Sequence, residues 1–391
     1  MTKRYAVSSL VLACSLLITG CETGKQHKEA VGHWNDTRAA VQGSLAAERY
    51  KLGNLDDARI AVDQAMLLSP DNPKYLVLSA RIYIERNQLE YADRDVSHAR
   101  KVAPGDGEAD YLAGVIYQRW QRPTQALEYY TAACQKSPAE LSYLMAKAEM
   151  FIQLNRVDEA AGLIESKLTY FEYSGPLRDE LGGIYMQQNK LPQAIETLHQ
   201  ATILSPDDAS IREHLARAEF RNAQYRECLE QVDTLLKNKE YETRADVYLL
   251  KAECHLQLQQ WREARTAAET SLIHNGTSAP AYLMLAKAAL RMGDVDRAAD
   301  SVRKAIALAP ENSQAHLAQA YVFLRQLKWE DALAAARKAN QLDPKDATAL
   351  CLMGLALEKI NRHDEALQCY GQALQVKAND PLATKLMFKA K

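Results

Sequence analysis

Small and apolar residues recur along this chain with a period of 34 residues, and within each period they fall on one face of two successive predicted helices. The stretch Gly107 to Glu140, GEADYLAGVIYQRWQRPTQALEYYTAACQKSPAE, shows the pattern in full. Ala113, Gly114 and Tyr117 share a face of the first helix, Ala126, Tyr130 and Ala133 a face of the second, and Pro138 closes the unit. A helical hairpin of this size cannot bury its apolar face alone, so its copies must stack on one another.

Counted from Ala39, the units are 39–72, 73–106, 107–140, 141–174, 175–208 and 209–242, then, after the extra pair Thr243-Arg244, 245–278, 279–312, 313–346 and 347–380. Position eight is Ala or Gly in every unit, and position twenty is Ala in all but one, where it is Cys228. Those are the points at which paired helices cross, where only a small side chain allows close approach. Position 32 carries Pro70, Pro104, Pro138, Pro206, Pro310 and Pro344, which stop the second helix. Position 15 offers Gly53, Asn87, Asn155, Asn189, Gly293 and Asn361, residues that accept a left-handed turn between helices.

This arrangement resembles the tetratricopeptide repeat. The resemblance implies an all-α fold, a right-handed superhelical solenoid of about ten helix-turn-helix repeats. Two units depart from the pattern. The fourth has Glu172 in place of proline and Lys167 where a small residue belongs, and the sixth ends in Lys237-Asn238-Lys239-Glu240. A change of stacking is therefore expected near 236–245 and a second near 170–176, with repeats one to six over 39–242 and seven to ten over 243–380. Residues 381–391 are expected to form a capping helix.

The first twenty residues are of another kind. Lys3 and Arg4 precede an apolar run from Ala6 to Ile18, which is too short and wrongly flanked for a stable span. The sequence Leu17-Ile18-Thr19-Gly20-Cys21 resembles a lipoprotein signal, so residues 1–20 would be removed and Cys21 acylated, with palmitate or a similar chain. An ordinary signal peptide, or an anchor helix with two chance cysteines, is the alternative. Several acyl chains at about 0.8 kcal/mol per buried methylene hold a protein on a bilayer where one would not. Residues 21–38 then read as the lipidated cysteine and a polar tether. Glu22 after the cysteine, rather than Asp, favours the outer membrane facing the periplasm over the inner membrane.

Composition narrows the function. The chain is 25% charged and 47% hydrophobic with a net charge of −2, which describes an ordered protein without a nucleic-acid footprint. The nine histidines include no pair at i and i+4, and no phosphate-binding or nucleophile-elbow motif occurs. No catalytic residue, metal ligand, cofactor or small-molecule substrate is assigned. Once Cys14 and Cys21 are set aside, Cys134, Cys228, Cys254, Cys351 and Cys369 remain, an odd number that fits packed free thiols, with Cys228 and Cys254 the pair to examine.

Proteins of the resembled family hold extended segments of partner proteins along a groove lined by the first helices. Carried onto this chain, the groove residues are Arg81, Tyr111, Arg119, Arg217, Phe220, Arg221, Lys287, Arg291, Tyr321, Arg325 and Lys359. Guanidinium forks beside leucines suit an extended segment bearing carboxylates; the same charges also fit a solvated helix face. The expectation is a membrane-anchored, non-catalytic scaffold for protein segments of a cell-envelope assembly or export machinery, with a glycan-binding accessory of polysaccharide export as the alternative.

Overall fold

The computed structural model describes residues 31–390, and the signal segment, Cys14, Cys21 and the start of the tether lie outside them. The described residues form helices joined by short turns, with no strand among them. They fall into two compact units, divided between residues 172 and 173.

The first unit contains α1 (31–51), α2 (Leu55–Leu68), α3 (Pro73–Glu85), α4 (Leu89–Val102), α5 (Gly107–Arg119), α6 (Pro123–Lys136), α7 (Leu141–Gln153) and α8 (Val157–Glu165). The second begins with α9 (Gly175–Gln187), α10 (Leu191–Leu204), α11 (Ala209–Arg221), α12 (Tyr225–Leu235), α13 (Ala245–Gln257) and α14 (Trp261–His274). It continues through α15 (Ala279–Met292), α16 (Val295–Leu308), α17 (Ser313–Arg325), α18 (Trp329–Leu342), α19 (Ala347–Lys359), α20 (His363–Val376) and α21 (Pro381–Ala390). Within each unit the two helices of a repeat pack together and the second leans on the first helix of the next.

The segment expected as a tether to residue 38 differs from that expectation, because α1 is already helical at residue 31. Its polar first turns extend a helix anchored by the buried Ala39 and Ala46, and helix propagation past an anchored turn is easy.

The small positions form the spine of both units. Position eight is fully buried wherever it is alanine, from Ala46 to Ala320, and so is position twenty from Ala58 to Ala366, apart from a trace of exposure at Ala332. Cys228 fits the same slot with no exposed surface. The turn between helices is left-handed in every repeat. Gly53, Asn87, Asn155, Asn189, Gly293 and Asn361 take positive φ there, but so do Gln121, Ala223, Gln259 and Leu327 at φ 58 to 60°. At these four the packing of the two helices overrides a local cost of roughly 1–2 kcal/mol.

First helices begin on a polar cap. Asn72, Asp106, Ser174, Asp208, Ser278, Asn312 and Asp346, all at position 34, accept hydrogen bonds from backbone N–H groups of the following turn. Glu140 and Arg244 make no such side-chain cap. The second helices of repeats four and six are also short, with 9 residues in α8 and 11 in α12 against 14 in the others. Lys167 and Leu235 occupy the position that is Ala or Ser elsewhere, and in the regular repeats the carbonyl of that small residue accepts the closing N–H, as Ala133 does from Ser137. A large side chain at this point ends the helix early. The capping segment is the helix α21, whose Ala383 and Leu386 close the apolar cluster around Tyr370 and Ala373.

Candidate functional site

Positions five, nine, twelve and thirteen lie on the first helices; in the second unit α9 packs beside α11, and α13, α15, α17 and α19 pack side by side in turn. The predicted groove residues fall into separate settings. Arg81, Tyr111 and Arg119 belong to the first unit. Arg81 is held by Glu108, with its Nη2 2.5 Å from the carboxylate. Tyr111 stacks on Tyr143 at 4.7 Å and tilts against Tyr130. Arg119 donates from Nη1 to the carbonyl of Ile84 at 2.6 Å. All three are occupied with joining one repeat to its neighbour.

In the second unit Arg217 is engaged too. Glu213, Asp246, Arg217 and Arg244 form one network, with Arg217 Nη2 2.7 Å from Glu213 and 3.2 Å from Asp246. Arg244 meets the same two carboxylates at 2.6 and 2.5 Å. These guanidinium groups hold Glu213 below the usual carboxylate range despite its burial. Phe220 packs edge-on against Tyr225, and Arg221 reaches Asn189 Oδ1 at 3.5 Å.

The remaining five stand on α15, α17 and α19. Lys287 is half-buried; burial lowers its pKa, and Glu253 opposes that shift. Tyr321 is 38% exposed, with its phenol pushed upward by burial and drawn back by Arg291. Arg291 lies over the indole of Trp261 at 5.6 Å, a cation–π contact. Arg325 and Lys359 make no ion pair with any described residue. Arg291, Arg325 and Lys359 share position thirteen of three consecutive repeats, and all are exposed. Beside them Leu249, Leu290, Leu324 and Leu355 remain partly exposed at the margin of the apolar clusters. A cation row therefore borders an apolar strip along these helices.

Sequence reasoning missed the anchoring acids. Arg81 and Arg217 stand at position nine, and their carboxylate partners Glu108 and Asp246 at position two of the next repeat. That offset was available in the sequence. It also separates Lys287, whose next position two is Gln314, from the paired arginines.

Among the described residues no group of three or more His, Cys, Asp or Glu is placed to hold a metal ion. No helix among them is long and apolar enough to cross a membrane. No disulfide is formed among the five described cysteines in this structure.

The sequence matches the family described as tetratricopeptide repeat over residues 111–168, 180–227, 215–280 and 283–347, and a further form of that repeat over 347–380. It is 24% identical over 264 residues to the cellulose synthase operon protein C of Pseudomonas fluorescens (strain SBW25). That alignment takes in 67% of this chain and 18% of the relative, so the chain spans a small part of it. The fold is similar to a chain in the crystal structure of the APC/C hetero-tetramer Cut9-Hcn1, with a TM-score of 0.51 at 11% identity, covering 92% of this chain and 98% of the other. A tetratricopeptide repeat protein from Parabacteroides merdae aligns with a TM-score of 0.48 and 18% identity over 73% of this chain and 98% of its own.

Proposed function

The chain belongs to the tetratricopeptide repeat family, and on that premise we propose that it is a non-catalytic scaffold that holds an extended, carboxylate-bearing segment of a protein from a cell-envelope assembly. The observation that carries this reading is the row Arg291, Arg325 and Lys359, exposed and without a carboxylate partner beside a leucine strip. Arginines at position nine elsewhere in the chain already have acids assigned to them. An unpaired row is ready to meet carboxylates from outside, bidentately at the arginines, while the leucines bury the segment's apolar side chains. Acylation at Cys21 would tether the array on the extracytoplasmic side, on the outer membrane facing the periplasm. A small number of acyl chains is sufficient for that attachment.

A second reading, an accessory that grips glycan for polysaccharide export, is favoured by the name of the Pseudomonas relative, which refers to a cellulose synthase operon. Aromatic platforms would be needed. Trp120 falls at position fourteen and Trp261 and Trp329 at seventeen, and Trp261 is covered on one face by Arg291.

The test is affinity capture from detergent-solubilised envelope followed by mass spectrometry, with the Arg291→Glu, Arg325→Glu, Lys359→Glu chain and a Lys345→Glu charge control in parallel. The scaffold reading expects one defined protein that the triple variant loses and the control keeps. Polysaccharide without protein would favour the second reading, and equal capture by the triple variant would remove the groove from the account. Fractionation of the chain with and without Cys21→Ala tests the anchor independently.

A further inference from the structure

The junction between repeats six and seven is built differently from the others. It carries the inserted Thr243-Arg244, a shortened α12 and no side-chain cap at Arg244. Across this junction the Sγ atoms of Cys254 on α13 and Cys228 on α12 lie 3.4 Å apart. Neither residue has exposed surface, and both pack among Ala216, Val232, Val247 and Leu250. The repeat pattern makes the pairing conspicuous. Position twenty is Ala in the other nine repeats, and position ten, where Cys254 stands, is Ala, Val, Ile or Met in eight of the other nine. Two cysteines occupy adjoining aliphatic slots at the one junction with an insertion.

We propose that Cys228 and Cys254 are a cross-linking site, joined by a disulfide that staples the sixth repeat to the seventh. A bond of about 2.05 Å requires the sulfurs to close by little more than one ångström from their 3.4 Å separation. The oxidant is a protein or small-molecule disulfide. The thiolate of one cysteine attacks it and releases one thiol, forming a mixed disulfide. The second cysteine then attacks that mixed sulfur, forms the Sγ–Sγ bond and releases the other thiol. Two electrons pass to the oxidant and two protons are lost by the cysteines. The contact with the Cys254 thiol and burial raise the pKa of Cys228 in the folded chain, which disfavours the attacking thiolate there. Exchange therefore precedes the docking of α12 on α13, during folding.

The chemistry rests on the proposed extracytoplasmic placement only for its natural oxidant, and the test is free of that dependence. The full chain carrying Cys14→Ser and Cys21→Ser is denatured, reduced, and refolded in a glutathione redox buffer. It is then alkylated in denaturant and digested for mass spectrometry. The expected product joins the peptides of Cys228 and Cys254 and leaves Cys134, Cys351 and Cys369 alkylated. Its melting temperature should exceed that of the reduced chain by several degrees, a difference absent from Cys228→Ala and Cys254→Ala, which place alanine where other repeats tolerate it. Alkylation of both thiols, or their pairing with Cys134, Cys351 or Cys369, would overturn the proposal.

Discussion

Cδ1 of Tyr130 lies 2.5 Å from the point that a Cβ on Gly114 would occupy, so the ring fills the space a side chain would take. The same exchange recurs wherever position eight is glycine. Leu198 overlies Gly182 and Tyr370 overlies Gly354, whereas in the repeats with alanine at position eight the matching position twenty-four holds Val62, Val96, Ile164, Val232, Ala268, Val302 and Ala336. The tyrosine is then fixed at its far end, Tyr130 donating to Gln118 Oε1 at 2.7 Å and Tyr370 to Glu358 Oε2 at 3.1 Å. Gly114→Ala should cost about 1–3 kcal/mol by overpacking. The pair Gly114→Ala with Tyr130→Val, which recreates the Ala80 and Val96 arrangement, should recover part of that loss in a urea double-mutant cycle. Gly183, a helical glycine with nothing within 4 Å of its Cβ direction, is the contrast. Gly183→Ala should stabilise by about 0.5–1 kcal/mol.

Leu327 sits at φ 59° in the turn of repeat nine with 68% of its surface exposed. Almost no burial offsets the left-handed cost. Leu327→Asn should raise the urea midpoint, by about 0.5–1 kcal/mol in free energy. Ala substitution should leave the midpoint nearly unchanged, since alanine suffers the same clash.

Glu219 is 5% exposed and its Oε2 has no hydrogen-bond partner among the described residues. Burial, with Glu227 and Glu230 nearby, pushes its carboxyl up to about 7. The folded chain holds this proton where the unfolded chain releases it. Stability should therefore fall as pH rises from about 4.5, the unfolded value, through about 7, the folded one. Glu219→Gln removes that loss. The variant should match the parent at pH 4 and exceed it at pH 8 by on the order of 1–3 kcal/mol, read from urea midpoints at the two pH values.

Much of this fold is written in single positions of the repeat. Small residues at eight and twenty and Gly or Asn at fifteen announce the crossings and turns because sterics admit few alternatives there. Gln121, Ala223, Gln259 and Leu327 were silent, since their left-handed backbone is imposed by the packing of two helices rather than by the residue itself. Lys167 and the run Lys237-Asn238-Lys239-Glu240 did mark irregular repeat ends, visible as α8 and α12 stopping short. The groove was legible as a register and less so as chemistry. Arg81, Arg119 and Arg217 had the right position, yet each is engaged by a group 27 to 35 residues away. Such pairings depend on which acid or carbonyl the neighbouring repeat presents.

If the position-thirteen cations of repeats eight to ten meet carboxylates of a bound segment, the affinity of a captured partner's segment should differ between the parent chain and Arg291→Glu, Arg325→Glu, Lys359→Glu, measured at two salt concentrations. The account predicts binding at least tenfold weaker in the variant, and a salt dependence that is steep in the parent and reduced in the variant. Equal affinities with equal salt dependence would contradict it.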